Sequence, residues 1–349
     1  MSDGPVEPTM TQPREPQVRV YRAADVLPDA LNGETVAVLG YGNLGRSAAL
    51  NLRDSRVKIR IGNQEDAYAD QARADGFEVV PVATAAAADI VFVLLPDEVI
   101  PDVFASDIST ALRPGSAIAF ASGYSLAFGL VRPPDTVDVL LVAPRMAGRT
   151  ARRKYLEGGG FWACVGVEAD RSGRAHRRML GLAESLGILR VGAIEMSASM
   201  EATLDLFVEQ TLGALLGQAI MTAFSVGREA GVPAEALVME MYMSGEMEAV
   251  FAGFRETGFF RASEDHGPTA LFGGITRTLE MNHEAMAASF RAILEDIRSG
   301  AFARRFQDEA QTGYQMLAIA RAMTRGDSPI TEGEDGLRRQ HASGSSGAA

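Results

Sequence analysis

The sequence predicts an α/β domain built on a parallel sheet, followed by an all-helical domain. Three observations carry this. In the first half, short apolar or alternating runs take turns with stretches of helical spacing, the pattern of strand–helix–strand crossovers. A glycine-rich turn joins the first strong strand to the first strong helix. From about Ser197 the apolar residues recur every three and four positions, with no strand-like runs between them.

The elements follow in order. Val36–Leu39 is an apolar run ended by glycine, and Ser47–Asp54 has helical spacing. Val57–Ile61 alternates as a strand does, Tyr68–Asp75 is helical, and Glu78–Val82 is strand-like. Ile90–Leu95 is wholly apolar and stops at Pro96, as expected of a strand buried on both faces. Ser116–Ala121 and Val137–Val142 read as two more strands, and Ile188–Val191 as the last. Beyond it, Leu204, Phe207, Leu212, Leu215, Leu216, Ile220 and Phe224 keep helical spacing, and the frequent methionines read as core filling. The expected division is therefore a tail over 1–17, an α/β domain over 18–195, a helical domain over 196–325 and a Ser/Gly/Ala-rich tail over 326–349, both tails expected to be disordered.

Composition narrows the function classes. The net charge of −12 argues against a nucleic-acid or anionic-membrane binder, whose affinity needs surplus positive charge. The single cysteine, Cys164, rules out an intrachain disulfide framework and suits a reducing compartment; with neither signal peptide nor apolar span legible, the expected location is cytoplasmic. Only two of the 33 basic residues are lysines, Lys58 and Lys154, so a mechanism needing an active-site lysine has few places to find one.

The turn after Val36–Leu39 reads Gly40, Tyr41, Gly42, Asn43, Leu44, Gly45, a G-x-G-x-x-G opening a helix. The first glycine permits the tight turn. The second lets backbone approach a pyrophosphate, and the third lets helix and strand pack closely beneath the positive end of the helix. Placed between a strand and a helix, the pattern predicts a Rossmann-type dinucleotide-binding domain. The second strand ends about twenty residues later, where such a fold reads the adenosine ribose, and continues Asn63, Gln64, Glu65, Asp66. Acidic side chains accept hydrogen bonds from ribose hydroxyls and repel a 2′-phosphate. No Arg or Lys lies between Arg60 and Arg73, so NAD(H) is expected in preference to NADP(H).

Several segments together resemble ketol-acid reductoisomerase, also called acetohydroxy acid isomeroreductase. They are Val36–Ser55, Leu94–Val99, Pro114–Gly129, Val142–Gly160, Asp205–Gln210 and Thr269–Gly273. The most specific are the Ala143-Pro144…Gly148…Arg152-Arg153…Tyr155…Glu157 run with its three glycines, and Asp205-Leu-Phe-x-Glu209-Gln210. The likeness runs from about Val18 to Phe272, and the length resembles the short, class I form. It implies a Rossmann domain followed by a knotted helical domain, and a homodimer formed through the helical domain in which the chains complete each other's sites. It also implies cofactor contacts at Leu95 and Pro96. The family's reaction, part of branched-chain amino-acid biosynthesis, is a Mg²⁺-assisted alkyl migration followed by hydride reduction of the keto group.

The resemblance assigns Asp205, Glu209 and Glu240 as metal ligands and catalytic residues. Other positions depart from the family. Ser244 stands where a fourth carboxylate is expected, Ser122 where the family has histidine, and Arg145 where it has lysine; Gly267 and Leu271 replace a serine and a glutamate. Serine is a weak neutral ligand, and arginine does not shuttle protons at neutral pH. Ser122 and Arg145 remain candidate catalytic positions, Arg145 and Arg149 as holders of a carboxylate, and Glu264, Asp265 and His266 as proton sources. His176, His283 and His341 are assigned no function. The expectation is a reductase of a small 2-keto acid or related carbonyl or imine, with one Mg²⁺ rather than two and the migration impaired or changed. The alternatives are the ordinary family enzyme and an inactive dinucleotide-binding protein.

Overall fold

The computed structural model describes residues 18–345, so the expected tail over 1–17 lies outside the described residues. The chain divides into two compact units, one ending at Ala202 and the other beginning at Thr203, a little past the expected division.

The first unit is a nine-stranded sheet flanked by helices. Its strands are β1 (Val20–Tyr21), β2 (Thr35–Leu39), β3 (Lys58–Gly62), β4 (Val79–Val80), β5 (Ile90–Val93), β6 (Ala117–Phe120), β7 (Asp138–Pro144), β8 (Trp162–Ala169) and β9 (Gly192–Glu195). Their order is β1-β9-β8-β7-β6-β5-β2-β3-β4. The run from β7 to β4 is parallel throughout, and β8 then joins β7 antiparallel. The chain reverses direction across the sheet between β5 and β2, which opens a crevice at their carboxyl ends.

The helices follow from local chemistry. Helix α1 (Asn43–Asp54) starts at the glycine turn and buries Ala48, Ala49 and Leu52. Helix α2 (Ala67–Ala74) starts because the Asp66 carboxylate accepts the N–H groups of Tyr68 and Ala69, satisfying donors that a helix start leaves bare. Short turns α3 (Val82–Ala85), α4 (Ile100–Val103) and α5 (Tyr124–Ala127) precede the longer α6 (Gly148–Leu156) and α7 (Ala175–Ser185). Two apolar layers result, one on each face of the sheet: Val36, Leu52 and Phe92 belong to the first, Leu39, Val91 and Phe104 to the second.

The elements read from sequence are largely present, with three corrections. The expected strand Ile188–Val191 is a 3₁₀ turn over Ile188–Arg190; Gly187, at φ +85°, ends α7, and the strand starts only at Gly192. The run Glu78–Val82 gives only two residues of strand, because Pro81 ends it and starts α3. The segment 326–349 is not a disordered tail over its described part. Pro329–Ser345 is helical, with Pro329 in its first turn and the Ser328 hydroxyl accepting the Thr331 N–H at 3.2 Å. Gly333 and Gly336 of that helix sit where a Cβ would lie 3.0 Å from Ala234 and 2.8 Å from Glu235, so the missing side chains permit close packing.

The second unit is helical. After α8 (Ala198–Val208) come α9 (Ala214–Glu229), α10 (Ala234–Val238), α11 (Glu246–Thr257), α12 (Pro268–Glu280), α13 (His283–Arg298), α14 (Ala301–Gln311), α15 (Gln315–Arg325) and α16 (Pro329–Ser345). Two π-helical turns interrupt it, Glu209–Gly213 and Met239–Met243. Its apolar surface is incompletely covered: Leu204, Val208, Leu212 and Leu215 form an exposed stripe, and Phe272 and Leu279 on α12 are 73% and 80% exposed. No described helix is long and apolar enough to cross a membrane.

A buried ion network ties the amino-terminal ends of the strands together. Arg178 of α7 is 2% exposed; its Nη1 donates to Asp138 at the start of β7 and to the Gly115 carbonyl, both at 2.8 Å, and its Nε donates to Glu34 at 3.0 Å. Burial pushes the Asp138 carboxyl up, but bonds from Ser172, the Arg171 backbone and Arg178 outweigh it and hold the group below its ordinary 3.8. A lowered folded value makes the contribution full above the ordinary carboxylate range and lost as pH falls through the folded value. Replacing Asp138 by Ala removes one of the two carboxylates on the buried Arg178, leaving Glu34 as the other, and should lower unfolding free energy by about 2–3 kcal/mol, read by denaturant titration at neutral pH. The gap between the two proteins should narrow in acid; a gap that widens there contradicts the assignment.

Candidate functional site

The crevice predicted by the strand order is present as a cleft of about 590 Å³ at the carboxyl ends of β2, β3, β5 and β6. It is lined by the glycine turn, by Asn63, Gln64 and Asp66, by Leu95 and Pro96, and by Ser122. A larger groove of about 820 Å³ lies at the opposite, amino-terminal ends of the strands, beside Lys58 and Glu184, and contains none of the residues predicted from sequence.

Three glycines of the turn region are required by contact. Gly40 takes φ +93°, and a Cβ there would lie 2.8 Å from the Leu94 carbonyl oxygen. A Cβ on Gly45 would lie 2.1 Å from the Gly40 carbonyl oxygen, and one on Gly148 2.2 Å from that of Asn43. These clashes admit no side chain without moving backbone. Gly42 differs: its Cβ position meets nothing within 4 Å, so the space above it is open to the cleft. That is the arrangement a pyrophosphate needs at a helix amino terminus.

The basic residues near the turn are already engaged. Arg46 makes a two-pronged pair with Asp75 at 2.7 and 3.0 Å, and the Tyr41 hydroxyl donates to the same carboxylate at 2.9 Å. The Arg46 guanidinium holds the Asp75 carboxyl below its usual range, while burial and then Asp75 push the Tyr41 phenol upward.

At the adenosine end, Glu65 and Asp66 are equivalent in the sequence pattern; the structure separates them. Asp66 lines the cleft. Its Oδ1 accepts from Tyr68 N–H and Ala69 N–H at 2.9 and 3.0 Å and from Asn63 Nδ2 at 2.9 Å, while Oδ2 accepts from Gln64 Nε2 at 3.2 Å. Burial raises its carboxyl, but these bonds outweigh burial and hold it below the ordinary value, so it is a carboxylate at neutral pH. Glu65 is exposed, does not line the cleft and pairs with Arg73 at 2.6 Å, which also takes the nearest arginine out of the role of phosphate reader. Tyr68, legible in the sequence only as the start of a helical stretch, exposes its ring at the rim of the cleft.

Ser122 lies in the cleft wall after β6, its hydroxyl accepting the Tyr124 N–H at 3.2 Å. Arg145 follows β7 but is not an open carboxylate holder. It forms an ion pair with Glu201, a fully buried residue of α8. The other Glu201 oxygen accepts the Gly123 N–H at 2.6 Å, so one carboxylate joins the segments after β6 and β7. A Cβ on Gly123 would lie 2.1 Å from the Ala198 carbonyl oxygen, which is why glycine stands there. Glu201 is not among the residues the sequence motifs single out; its one signal is the spacing Glu201-x₃-Asp205-x₃-Glu209, acids recurring on one helical face.

Asp205 is half-buried on α8, and Glu209 and Glu240 are exposed, each within a π turn of the second unit. Such turns are frequent at functional sites. Among the described residues no three His, Cys, Asp or Glu side chains of one chain converge to hold a metal ion, so Glu240 is not brought to Asp205 and Glu209 within the chain. Ser244 ends the second π turn, its N–H donating to the Met239 carbonyl at 2.9 Å and its hydroxyl accepting the Glu246 N–H at 3.2 Å. The serine thus has a turn-closing task. Arg149 is exposed at the start of α6; Glu264 and His266 are exposed on the second unit, and the Asp265 side chain lies outside those described.

A parallel sheet with a glycine turn, an acid-capped α2 and a cleft at the strand switch defines a nicotinamide-dinucleotide-dependent oxidoreductase. Residues 30–192 match the domain described as the NADPH-binding domain of acetohydroxy acid isomeroreductase, and residues 199–342 match the ketol-acid reductoisomerase C-terminal domain. The chain is 36% identical to ketol-acid reductoisomerase (NADP(+)) of Caldivirga maquilingensis, over 93% of this chain and 99% of that one. It is 38% identical to the enzyme of the same name from Methanopyrus kandleri, over 84% and 90% of the two chains. Its fold superposes on a solved NADH-preferring ketol-acid reductoisomerase from an uncultured archaeon with a TM-score of 0.87 at 30% identity, covering 92% of this chain and 98% of that one. The chain belongs to the ketol-acid reductoisomerase family, and it is an NAD(P)H-dependent oxidoreductase.

The Glu201 arrangement yields a test. Glu201→Ala removes the carboxylate paired with Arg145 and leaves the Gly123 N–H without its acceptor, and should cost about 1–3 kcal/mol of stability. Glu201→Gln keeps an acceptor for Gly123 and should lose less. Equal thermal midpoints for all three proteins would remove Glu201 from this role.

Proposed function

We propose that the protein uses NADH to reduce a small 2-keto acid, with the alkyl migration of the family impaired or changed. The observation that carries the cofactor reading is Asp66. A helix amino terminus is a natural anion site, and here the protein's own carboxylate fills it. A 2′-phosphate arriving at the start of α2 would meet that charge, with Arg73 already paired to Glu65. The Asp66 Oδ2 accepts only an exposed amide and is suited to ribose hydroxyls. The exposed Tyr68 ring offers a stacking face for adenine, and Gly42 with the start of α1 offers the pyrophosphate cradle. The solved relative that prefers NADH supports this reading.

The substrate reading rests on the changed positions. Ser122 replaces a group able to move protons, Arg145 is committed to Glu201, and Ser244 supplies a hydroxyl in place of a carboxylate. Asp205 and Glu209 offer the hard oxygen donors that suit Mg²⁺; a third would come from Glu240 of the partner subunit, giving one ion rather than two. When bound, such an ion would polarise the substrate carbonyl. The exposed stripe Leu204–Leu215 and the bare apolar face of α12 support a homodimer through the helical unit, since apolar surface of this extent marks an interface. A single mass in solution corresponding to one chain would overturn it.

A second reading, the ordinary two-step enzyme, is favoured by identity of 36% and 38% to relatives carrying that name. One experiment separates the two. Dinucleotide oxidation is followed with Mg²⁺ and either 2-acetolactate or its already rearranged 3-hydroxy-2-keto acid, using NADH and NADPH side by side. Turnover of the rearranged acid alone, faster with NADH, is the expected result. Comparable turnover of both acids establishes the ordinary enzyme, and faster turnover with NADPH overturns the cofactor reading.

A further inference from the structure

The geometry points to Asn63 as a positioning residue that couples the two halves of the dinucleotide cleft, holding the glycine turn and the acid-capped start of α2 in one arrangement. This builds on the reading of Asp66 as the ribose acid.

Asn63 follows the last residue of β3 and is 8% exposed. Its amide bonds entirely within the protein. Oδ1 accepts the Tyr41 N–H at 3.2 Å, inside the glycine turn. Nδ2 donates to the Gln64 carbonyl at 2.8 Å and to Asp66 Oδ1 at 2.9 Å. Both donor hydrogens of the amide are thereby used, so although it lines the cleft its side chain has no donor left for the cofactor and acts through the neighbours it holds. Its own N–H donates to the Val80 carbonyl at 3.2 Å, which anchors the residue to the sheet edge.

The two ends of this link have different tasks. The bond to Tyr41 N–H fixes the peptide between Gly40 and Tyr41, and with it the direction in which the next amides face the open space above Gly42. The bond to Asp66 adds a third donor to Oδ1, alongside Tyr68 N–H and Ala69 N–H. Oδ1 is thus occupied by the protein, and Oδ2 is left toward the ribose. Few side chains can do both. Aspartate keeps the acceptor but loses the donor and sets a second negative charge beside Asp66. Leucine and alanine supply neither, and glutamine carries an extra methylene into a buried position. Affinity at the pyrophosphate and selectivity at the ribose become linked properties.

The test uses the full-length protein and direct titration of NADH and NADPH by nucleotide fluorescence, together with KM and kcat. Asn63→Ala should raise the NADH Kd by about tenfold or more, the effect of leaving a buried N–H without its acceptor. KM should follow Kd while kcat at saturating NADH changes far less, a split that general loosening of the fold does not produce. The ratio of NADPH to NADH dissociation constants should fall, because Asp66 Oδ1 loses one of its three donors and is less firmly held. In an Asp66→Ser background, which keeps a helix cap and removes the charge, Asn63→Ala should weaken both cofactors equally and leave their ratio alone. Should Asn63→Ala fail to fold, the near-isosteric Asn63→Asp carries the test: it should weaken NADH, and less so when Asp66 is Ser. Unchanged dissociation constants in the Asn63 variants overturn the coupling. A parent protein that prefers NADPH overturns the ribose reading instead, while the Tyr41 link is still read in the NADPH titration. A parent that binds neither dinucleotide overturns both.

Discussion

The approach of backbone to backbone around the start of α1 is the constraint on which the cofactor site depends. Three positions, Gly40, Gly45 and Gly148, each sit within 3 Å of a carbonyl oxygen measured from where a Cβ would be. The turn out of β2, the start of α1 and the start of α6 are therefore packed at main-chain distance, with no side chain to act as a spacer. Everything above inherits its placement from that contact. The open position over Gly42 exists because the neighbouring glycines have let the helix come close, and the Leu94–Leu95 wall stands where the Gly40 turn permits it.

The fold was legible where periodicity is local. Apolar runs such as Ile90–Val93 and Val139–Ala143 are buried on both faces of the sheet, and burial on both faces leaves a continuous run in the sequence. The strand β8 was not anticipated. Trp162 is exposed, Ala163–Gly166 are all buried and Val167–Ala169 lie at the surface, so no alternation marks it, and it pairs antiparallel with β7, against the crossover pattern set by the earlier strands. Helix α16 was misjudged because its Gly and Ser content resembles a solvated tail. Gly333 and Gly336 turn out to be packing positions against α10, a role only a neighbour distant in sequence can disclose.

The site was legible to the same degree and for the same reason. The glycine turn announces itself because each glycine answers a local steric demand. The pairing of Arg145 with Glu201 spans 56 positions and that of Tyr41 with Asn63 spans 22, and neither is written in any local pattern. Glu65 and Asp66 are adjacent and chemically alike, yet one faces Arg73 and the other faces the cleft. Only the cap geometry of α2 distinguishes them, because a capping side chain must turn back toward its own helix.

The ion network of Arg178, Asp138 and Glu34 gathers the amino-terminal ends of the strands, while the cleft occupies their carboxyl ends. The sheet therefore separates its anchorage from its chemistry by the length of its strands. The serine at 122 stands on the rim with only a local turn to close, so an exchange there need not disturb the anchorage at the other end. The arginine at 145 is different: it is paired to the buried Glu201, so an exchange there draws on the fold as well as on the chemistry. Drift in what the protein catalyses is thus separable from drift in whether it folds at some rim positions and not at others.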